Sequence, residues 1–267
     1  MPLTVNTNVA SLAAQRSMLS TNSALETSFE RLATGKRINS AVDDAAGSAV
    51  VATLTTDVNA LNQAVRNVND GISVTQIAEG AMGEIADLLQ RMREVAVQAN
   101  TELLSTVEQG YVTSELTALA AAIDDVDAAA QFSGVDLGAA DTLTIQSGTA
   151  GTDTTDIAVY ASDSTTLAVT GLVGTAAPAA ITAIDAAITT IATQRATIGA
   201  TQGQLEATVR NLSNIAENTS AARSRIEDTD YAAETANLTK NQILQQAATS
   251  ILAQANQQPQ NVLALLQ

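Results

Sequence analysis

No cysteine, histidine or tryptophan occurs among the 267 residues, and aromatic side chains make up 2% of them. Without cysteine there is no disulfide framework and no thiolate nucleophile or ligand. Without histidine the commonest general base and the commonest metal ligand are both missing. The scarcity of rings argues against a thick globular core, because large rings contribute much of the buried area there. Basic residues are also scarce, 12 against 28 acidic ones, for a formal charge of −16. Phosphate-backbone binding depends on Lys and Arg, so nucleic acid is a poor partner. No run of about 18 apolar residues is present to span a bilayer. The start, Met1-Pro2-Leu3-Thr4-Val5-Asn6, shows neither a basic region nor an apolar core, so no cleaved secretory signal is visible.

What is present is small aliphatic side chains in long helical patterns, with 46% hydrophobic residues and only three prolines. From Ile181 to Ile226, steps of three and four meet Ile184, Ile188, Ile191, Arg195, Ile198, Gln202, Leu205, Val209, Leu212, Ala216, Thr219 and Arg223. Such a run predicts one helix, roughly 69 Å long at 1.5 Å per residue, with a narrow seam for partner helices. A second stripe runs Val51, Leu54, Val58, Leu61, Val65, Val68, Ile72, then shifts one place after Gly71 and continues through Val74, Ala78, Ala81, Ile85, Leu88, Met92 and Val95. A shorter seam at the start (Val5, Val9, Leu12, Arg16, Leu19) resumes out of phase at Leu25, Phe29 and Leu32, and Gly35 suits the helix end. The polar seam residues Arg195, Gln202 and Arg223 read as register markers or contacts to a neighbouring chain.

Ser105-Thr106-Val107-Glu108 is a capping box opening a third helix with Val112, Leu116, Leu119, Ile123 and Val126. Between Phe132 and Ala177 the period changes to two: Leu143–Gln146 and Ile157–Tyr160 predict a β-hairpin, followed by a short strand near Leu167 to Val169. Pro178 fits the first turn of the long helix. After Glu227-Asp228-Thr229-Asp230 a last amphipathic helix carries Leu238, Leu244, Ala248, Ile251, Leu252 and Ala255, interrupted by Pro259. Val262, Leu263, Leu265 and Leu266 then end the chain on an apolar turn that needs cover.

The acidic groups Asp43/Asp44, Asp124/Asp125/Asp127 and Glu227/Asp228/Asp230 fall at helix ends or connectors, where capping and solvation outrank acid–base chemistry. No phosphate-binding loop, dinucleotide motif or EF-hand spacing is present, and neither a cofactor nor an enzymatic activity is expected. Gly199 and Gly203 read as a local thinning of the rod rather than a membrane packing motif. Arg91, Arg93 and Glu94 form a charged patch with short-range ion pairs.

Taken together, the two ends carry a resemblance. Val5-Asn6-Thr7-Asn8, the run from Leu32 to Gly47 (LATGKRINSAVDDAAG), Asn69-Asp70-Gly71-Ile72-Ser73 and the run from Leu89 to Ala99 (LQRMREVAVQA) resemble the corresponding stretches of bacterial flagellin. So do Gln131-Phe132-Ser133-Gly134, Asn211-Leu212-Ser213-Asn214-Ile215, the run from Ser220 to Asp228, Gln242–Ala247 and Leu252–Gln257. The resemblance implies a mainly α fold, an elongated antiparallel helical bundle or coiled coil with a small β-hairpin at its outer region. The N- and C-terminal helices would be paired. Residues 1–41 and 228–267 would form a terminal domain lining the filament's inner tube, and 42–227 a helical rod domain with the hairpin region at 138–175. Asn39, Asp43, Asp44, Glu227, Asp228 and Asp230 would be the connectors, and the large outer domains of longer flagellins would be absent.

It further implies a structural subunit polymerising into the flagellar filament for motility, extracellular after export through the flagellar type III apparatus with an export chaperone. Filament cap and hook-filament junction proteins, and a host innate immune receptor for flagellin, would be partners alongside further copies of the chain itself. The expected assembly residues are Val5, Val9, Leu12, Leu19, Leu25, Phe29, Leu32, Leu244, Ile251, Leu252, Val262, Leu263, Leu265 and Leu266, with Arg91, Val95 and Glu115 on the rod. Val95 stands where the family usually has Leu. Other readings of the same pattern are a hook-filament junction protein and a coiled-coil adaptor that never polymerises.

Overall fold

The computed structural model describes residues 7–101, 105–138, 142–170 and 177–264, apart from the side chains of 177 and 258–264. Its elements are α1 (Val9–Thr34), α2 (Ala45–Ala99), α3 (Thr106–Ala129), β1 (Gln131–Phe132), β2 (Val135–Asp136), β3 (Thr142–Gln146), β4 (Thr154–Ala158), α4 (Ala177–Glu227) and α5 (Tyr231–Ala264). The chain divides into two compact units, residues 1–56 with 218–267, and residues 57–217. Helices α2 and α4 contribute to both.

Helix boundaries follow local chemistry. Asn8 accepts the Ser11 N–H at 3.0 Å to open α1, and Gly35 closes it in the left-handed region at φ 72°. There the missing Cβ removes the penalty that other residues meet. Asp44 accepts the Gly47 N–H at 2.8 Å and opens α2. The predicted capping box opens α3: Glu108 accepts the Ser105 N–H at 2.8 Å, and Ser105 accepts the Glu108 N–H at 3.4 Å. That backbone bond holds the Glu108 carboxyl below its ordinary range. Asp230 accepts from the Ala232 and Ala233 N–H groups and opens α5. Pro259 does not interrupt α5, which continues to Ala264.

The core of the second unit is a seam of long aliphatic side chains. On α2, Leu61, Ala64, Val68, Gly71, Thr75, Ala78, Met82, Ile85, Leu89, Met92 and Ala96 are buried at unbroken steps of three and four. Of the stripe expected after Gly71, Val74, Ala78, Ile85, Met92 and Val95 are buried and Ala81 and Leu88 half-buried, so the seam there is broader than either single phase. Gly71 and Thr75 belong to it, and periodicity overlooks them because neither is strongly apolar. Thr75 is fully buried and its hydroxyl donates to the Ile72 carbonyl at 2.7 Å. Gly71 is where the hairpin docks: a Cβ there would lie 2.8 Å from Ile145 Cδ1 and 2.9 Å from Ile157 Cδ1. On α4 the fully buried residues Ile184, Ile191, Ile198 and Leu205 recur every seven places, a coiled-coil spacing. Gln194 is half-buried beside this seam with its Oε1 buried, and the expected Gln202 is half-buried too, whereas Arg195 is exposed and lies 4.0 Å from Glu79.

The hairpin pairs Thr142 with Ala158 through Gln146 with Thr154, antiparallel, so its second strand begins three residues before the predicted one. An unpredicted small hairpin, β1–β2, turns at Ser133 and Gly134, both at positive φ. The predicted strand at Leu167–Val169 is instead a turn. Val169 donates to the Ser164 carbonyl and Ala168 to that of Thr165, with Ala168 at φ 54°. Leu167 and Val169 are buried, so two inward side chains spaced by one mimic a strand.

Candidate assembly surface

In the first unit α1 and α5 pack as an antiparallel pair, and their Cα atoms repeatedly come within 8 Å. Such a close approach requires small residues between the backbones. The inward positions of α1 are Ser11, Ala14, Met18, Thr21, Leu25, Ser28 and Leu32, again in strict steps of three and four. Those of α5 are Glu234, Leu238, Asn241, Gln245, Ala248, Leu252 and Ala255. Polar contacts stitch the pair: Asn8 donates to the Ala255 carbonyl at 2.7 Å, Ser11 to Asn256 at 2.8 Å, and Gln245 to Asn22 at 2.9 Å.

The stripe Val9, Leu12, Leu19 and Phe29 is therefore not the seam of the α1–α5 pair. These residues are 64%, 47%, 69% and 50% exposed. On α5, Leu244 and Ile251 are 45% and 56% exposed, and Ile243, which the sequence pattern missed by one place, is 60% exposed. Leu25, Leu32 and Leu252 are half-buried within the pair. Of the other expected assembly residues, Val5, Leu265 and Leu266, and the side chains of Val262 and Leu263, lie outside the described residues.

The connectors form a clasp at one end of the pair. Lys36 and Asp228 make an antiparallel bridge. The Arg37 N–H donates to the Glu227 carbonyl at 2.6 Å and the Thr229 N–H to the Gly35 carbonyl at 2.9 Å. Lys36 Nζ lies 2.5 Å from Glu227, and the Arg37 guanidinium donates to the Ile226 carbonyl at 2.7 Å. Asp43 accepts from the Ser40 and Asn39 N–H groups, which hold its carboxyl below the ordinary range. The Asn39 amide nitrogen itself is buried.

On the second unit, Arg91 donates to Glu115 at 2.9 Å and to Glu94 at 3.0 Å, bonds that raise its pKa, Glu115 contributing most. Arg93 pairs with Asp185 at 2.6 Å, which raises its pKa likewise. Val95, expected beside Arg91 on the surface, is 1% exposed and packs in the core. Seam spacing explains this: Val95 follows Met92 by three places and adjoins Ala96. Among the described residues no group of His, Cys, Asp or Glu could hold a metal ion, and no helix is long and apolar enough to cross a membrane.

Residues 5–140 match the bacterial flagellin N-terminal helical region, and residues 181–266 the bacterial flagellin C-terminal helical region. A flagellin of Halalkalibacterium halodurans is 38% identical over 269 residues, spanning 98% of this chain and 99% of that protein. The flagellar filament 33 kDa core protein of Treponema phagedenis is 37% identical over 291 residues, with 98% and 99% covered. A solved structure of a candidate flagellar hook-associated protein from Vibrio parahaemolyticus aligns with a TM-score of 0.57 at 14% identity, over 70% of this chain and 100% of that one. At that identity the likeness concerns the fold alone. Matched at both helical regions and along nearly its whole length, the chain belongs to the bacterial flagellin family, in a short form.

Proposed function

We propose that this chain is a structural subunit polymerising into the bacterial flagellar filament, and that copies join through the outer faces of α1 and α5. One observation carries the second part. The α1–α5 pair uses Ala14, Thr21, Ser28, Ala248 and Ala255 internally and leaves Val9, Leu12, Leu19, Phe29, Ile243, Leu244 and Ile251 in water. Fully burying such a side chain is worth about 1.5–3 kcal/mol. Since these are already about half covered, each contributes roughly 1 kcal/mol on assembly. Seven of them offset a substantial part of the cost of fixing one subunit against others. A single exposed leucine needs no explanation, but several large apolar side chains exposed along each helix do.

In this reading residues 1–41 and 228–267 form the inner tube and 42–227 the surrounding rod. Arg91 and Glu115 present a charged contact patch on the rod. The net charge of −16 opposes packing copies side by side, so assembly strengthens with added salt. The filament is extracellular. The subunit reaches it through the flagellar type III apparatus with an export chaperone, meets cap and hook-filament junction proteins at the filament's ends, and can meet a host flagellin receptor through Arg91 and Glu115. It carries out no catalysis. The hook-filament junction reading is not favoured, since relatives covered nearly end to end are flagellins and filament core proteins.

Seeded polymerisation followed by sedimentation is the test. Leu12→Ser with Leu244→Ser should abolish pelleting while leaving the monomer's helical signal intact, because both side chains sit outside the intramolecular seam. Unchanged pelleting in that double variant, or filaments formed by a chain lacking residues 1–40 and 228–267, would refute the proposal.

A further inference from the structure

We propose that an open groove between α2 and α4 on the second unit receives the outer face of α3 from a second copy. The proposal rests on the filament-forming role and adds to it a contact between the second units of adjoining copies. The groove has a volume of about 460 Å³ and is lined by Gln76, Glu79, Gly80 and Gly83 of α2 and by Arg195 and Gln202 of α4. Its α2 wall carries two glycines in mid-helix, where glycine lowers helix stability. Neither is required by the chain's own packing, since a Cβ at Gly80 or Gly83 would meet nothing within 4 Å. Gly71, on the same helix, is the contrast: there the hairpin fills the space. Two side chains missing beside an open groove leave room for a backbone to approach from outside. Arg195 and Gln202, polar places in the apolar pattern of α4, face the same opening.

Charge complementarity identifies the occupant. From Glu94 to Gln194 the chain has thirteen acidic residues and no basic one, and Arg195 follows directly. Of the arginines on the second unit, Arg91 and Arg93 hold carboxylates at 3.0 Å or less. Arg195 instead stands 4.0 Å from Glu79, beyond hydrogen-bond distance, with both side chains nearly half exposed. It can therefore exchange Glu79 for a carboxylate of another copy. Helix α3 offers one on a face with little bulk: its exposed row is Ser114, Thr117, Ala118, Ala121, Asp125 and Ala128. The Ser114 and Thr117 hydroxyls already donate to the Gly110 and Thr113 carbonyls, so covering them strands no donor. Asp124 and Asp127 accept from Ser164 and Ser162. The Asp125 carboxylate, between them in sequence, has no hydrogen-bond or ion partner among the described residues.

Groove and ridge share no residue, so the contact is heterologous. Each copy offers its groove to one neighbour and its α3 face to another, and the series extends or closes into a ring rather than stopping at a pair. Small side chains on α3 and bare backbone at Gly80 and Gly83 let the two helices approach closely, while Asp125 and Arg195 set which way the ridge lies.

Filling the groove in the full-length chain is the test. Gly80→Gln with Gly83→Gln should leave the monomer at least as resistant to urea, because glutamine is the better helix former and its Cβ meets open space. The same variant should slow seeded elongation at least tenfold. Asp125→Arg and Arg195→Asp should each slow elongation at least fivefold at low ionic strength, and together return it to within about twofold of the unmodified chain. Because the chain has no cysteine, disulfides can report the contact itself. Filaments grown from a mixture of Ala121→Cys and Gly80→Cys chains should crosslink on oxidation at least tenfold faster than filaments of either variant alone. Undiminished elongation by the glutamine variant overturns the proposal, as does a charge exchange no faster than its slower parent. So does a mixture that fails to crosslink, or Ala121→Cys chains that crosslink among themselves as fast as the mixture. All these variants leave the outer faces of α1 and α5 untouched. Unmodified chains that fail to polymerise overturn this contact together with the filament role, whereas filaments indifferent to these changes overturn this contact alone.

Discussion

Three glycines on α2 offer a matched experiment, because they share a helix and differ only in what surrounds them. Replacing Gly by Ala in a helix gains about 1 kcal/mol from reduced backbone freedom in the unfolded chain and better propensity. At Gly80 and Gly83 a Cβ would meet nothing within 4 Å, so each substitution should stabilise by about that amount. At Gly71 the same Cβ enters the gap filled by Ile145 Cδ1 at 2.8 Å and Ile157 Cδ1 at 2.9 Å, with Leu205 Cδ1 behind at 3.7 Å. Ile157 and Leu205 are 1% and 0% exposed, so neither has free space to move into. Overpacking of this kind costs about 1–3 kcal/mol, which matches or exceeds the propensity gain. Gly71→Ala should thus fall about 1–3 kcal/mol below Gly80→Ala in stability. Urea unfolding of the full chain by circular dichroism gives the global comparison. Amide hydrogen exchange in β3 and β4 gives the local one, since the hairpin is what the new methyl group displaces. A Gly71→Ala chain as stable as Gly80→Ala, with undiminished protection of the hairpin amides, would show that the hairpin does not rest on this glycine.

Two further substitutions test the segment after the hairpin. Ala168 sits exposed in the left-handed region at φ 54°, as the closing residue of a helical turn, so Ala168→Gly should raise stability by about 0.5–1 kcal/mol, checked by urea unfolding. Asp127 accepts the Ser162 N–H at 3.1 Å, and burial pushes its pKa above the ordinary 3.8, with Asp163, Asp136 and Asp124 adding repulsion. A raised carboxyl pKa means the fold favours the protonated form. The associated stability is present at low pH and is lost as pH rises through the folded value. Asp127→Asn keeps the acceptor without the charge. It should therefore stabilise at neutral pH, by a margin that shrinks as pH falls through that value. A margin independent of pH would exclude the carboxyl as its source.

Features written in a few adjacent residues were legible in the sequence. The Ser105–Glu108 capping box, Gly35 as a helix end, Asp44 as a cap and the alternation of β3 all depend on neighbours in the chain. Register and pairing depend on partners far away, and there the pattern misled. Gln194, not Arg195, lies at the α4 seam, because the buried places are set by where α2 and α3 pack. The second hairpin strand begins at Thr154 since its pairing with β3 decides its start, with Asp156 opposite Thr144 and hydrogen-bonded to it at 2.8 Å. The connector residues were recognised as connectors, but nothing local to them showed that the two would pair with each other.

On α1 the stripe expected both as a seam and as assembly residues, Val9, Leu12, Leu19 and Phe29, is exposed, and its separation from the inner face of the pair has a general cause. Periodicity weighted by hydrophobicity finds the greasiest face of a helix and assigns it to the interior of the chain. In a subunit that assembles, the greasiest face can belong to the neighbours, while the intramolecular contact is made by whatever permits close approach. Ala14, Thr21 and Ser28 barely register on a hydrophobic scale, yet they allow α5 to come near enough for the pair to form. Leu12 and Leu19 register strongly and face water. A row in which small residues alternate with Met18, Leu25 and Leu32, beside an exposed row of large ones on the same helix, therefore reads as two seams, the first closed within the chain and the second, on the function proposed here, open to other copies.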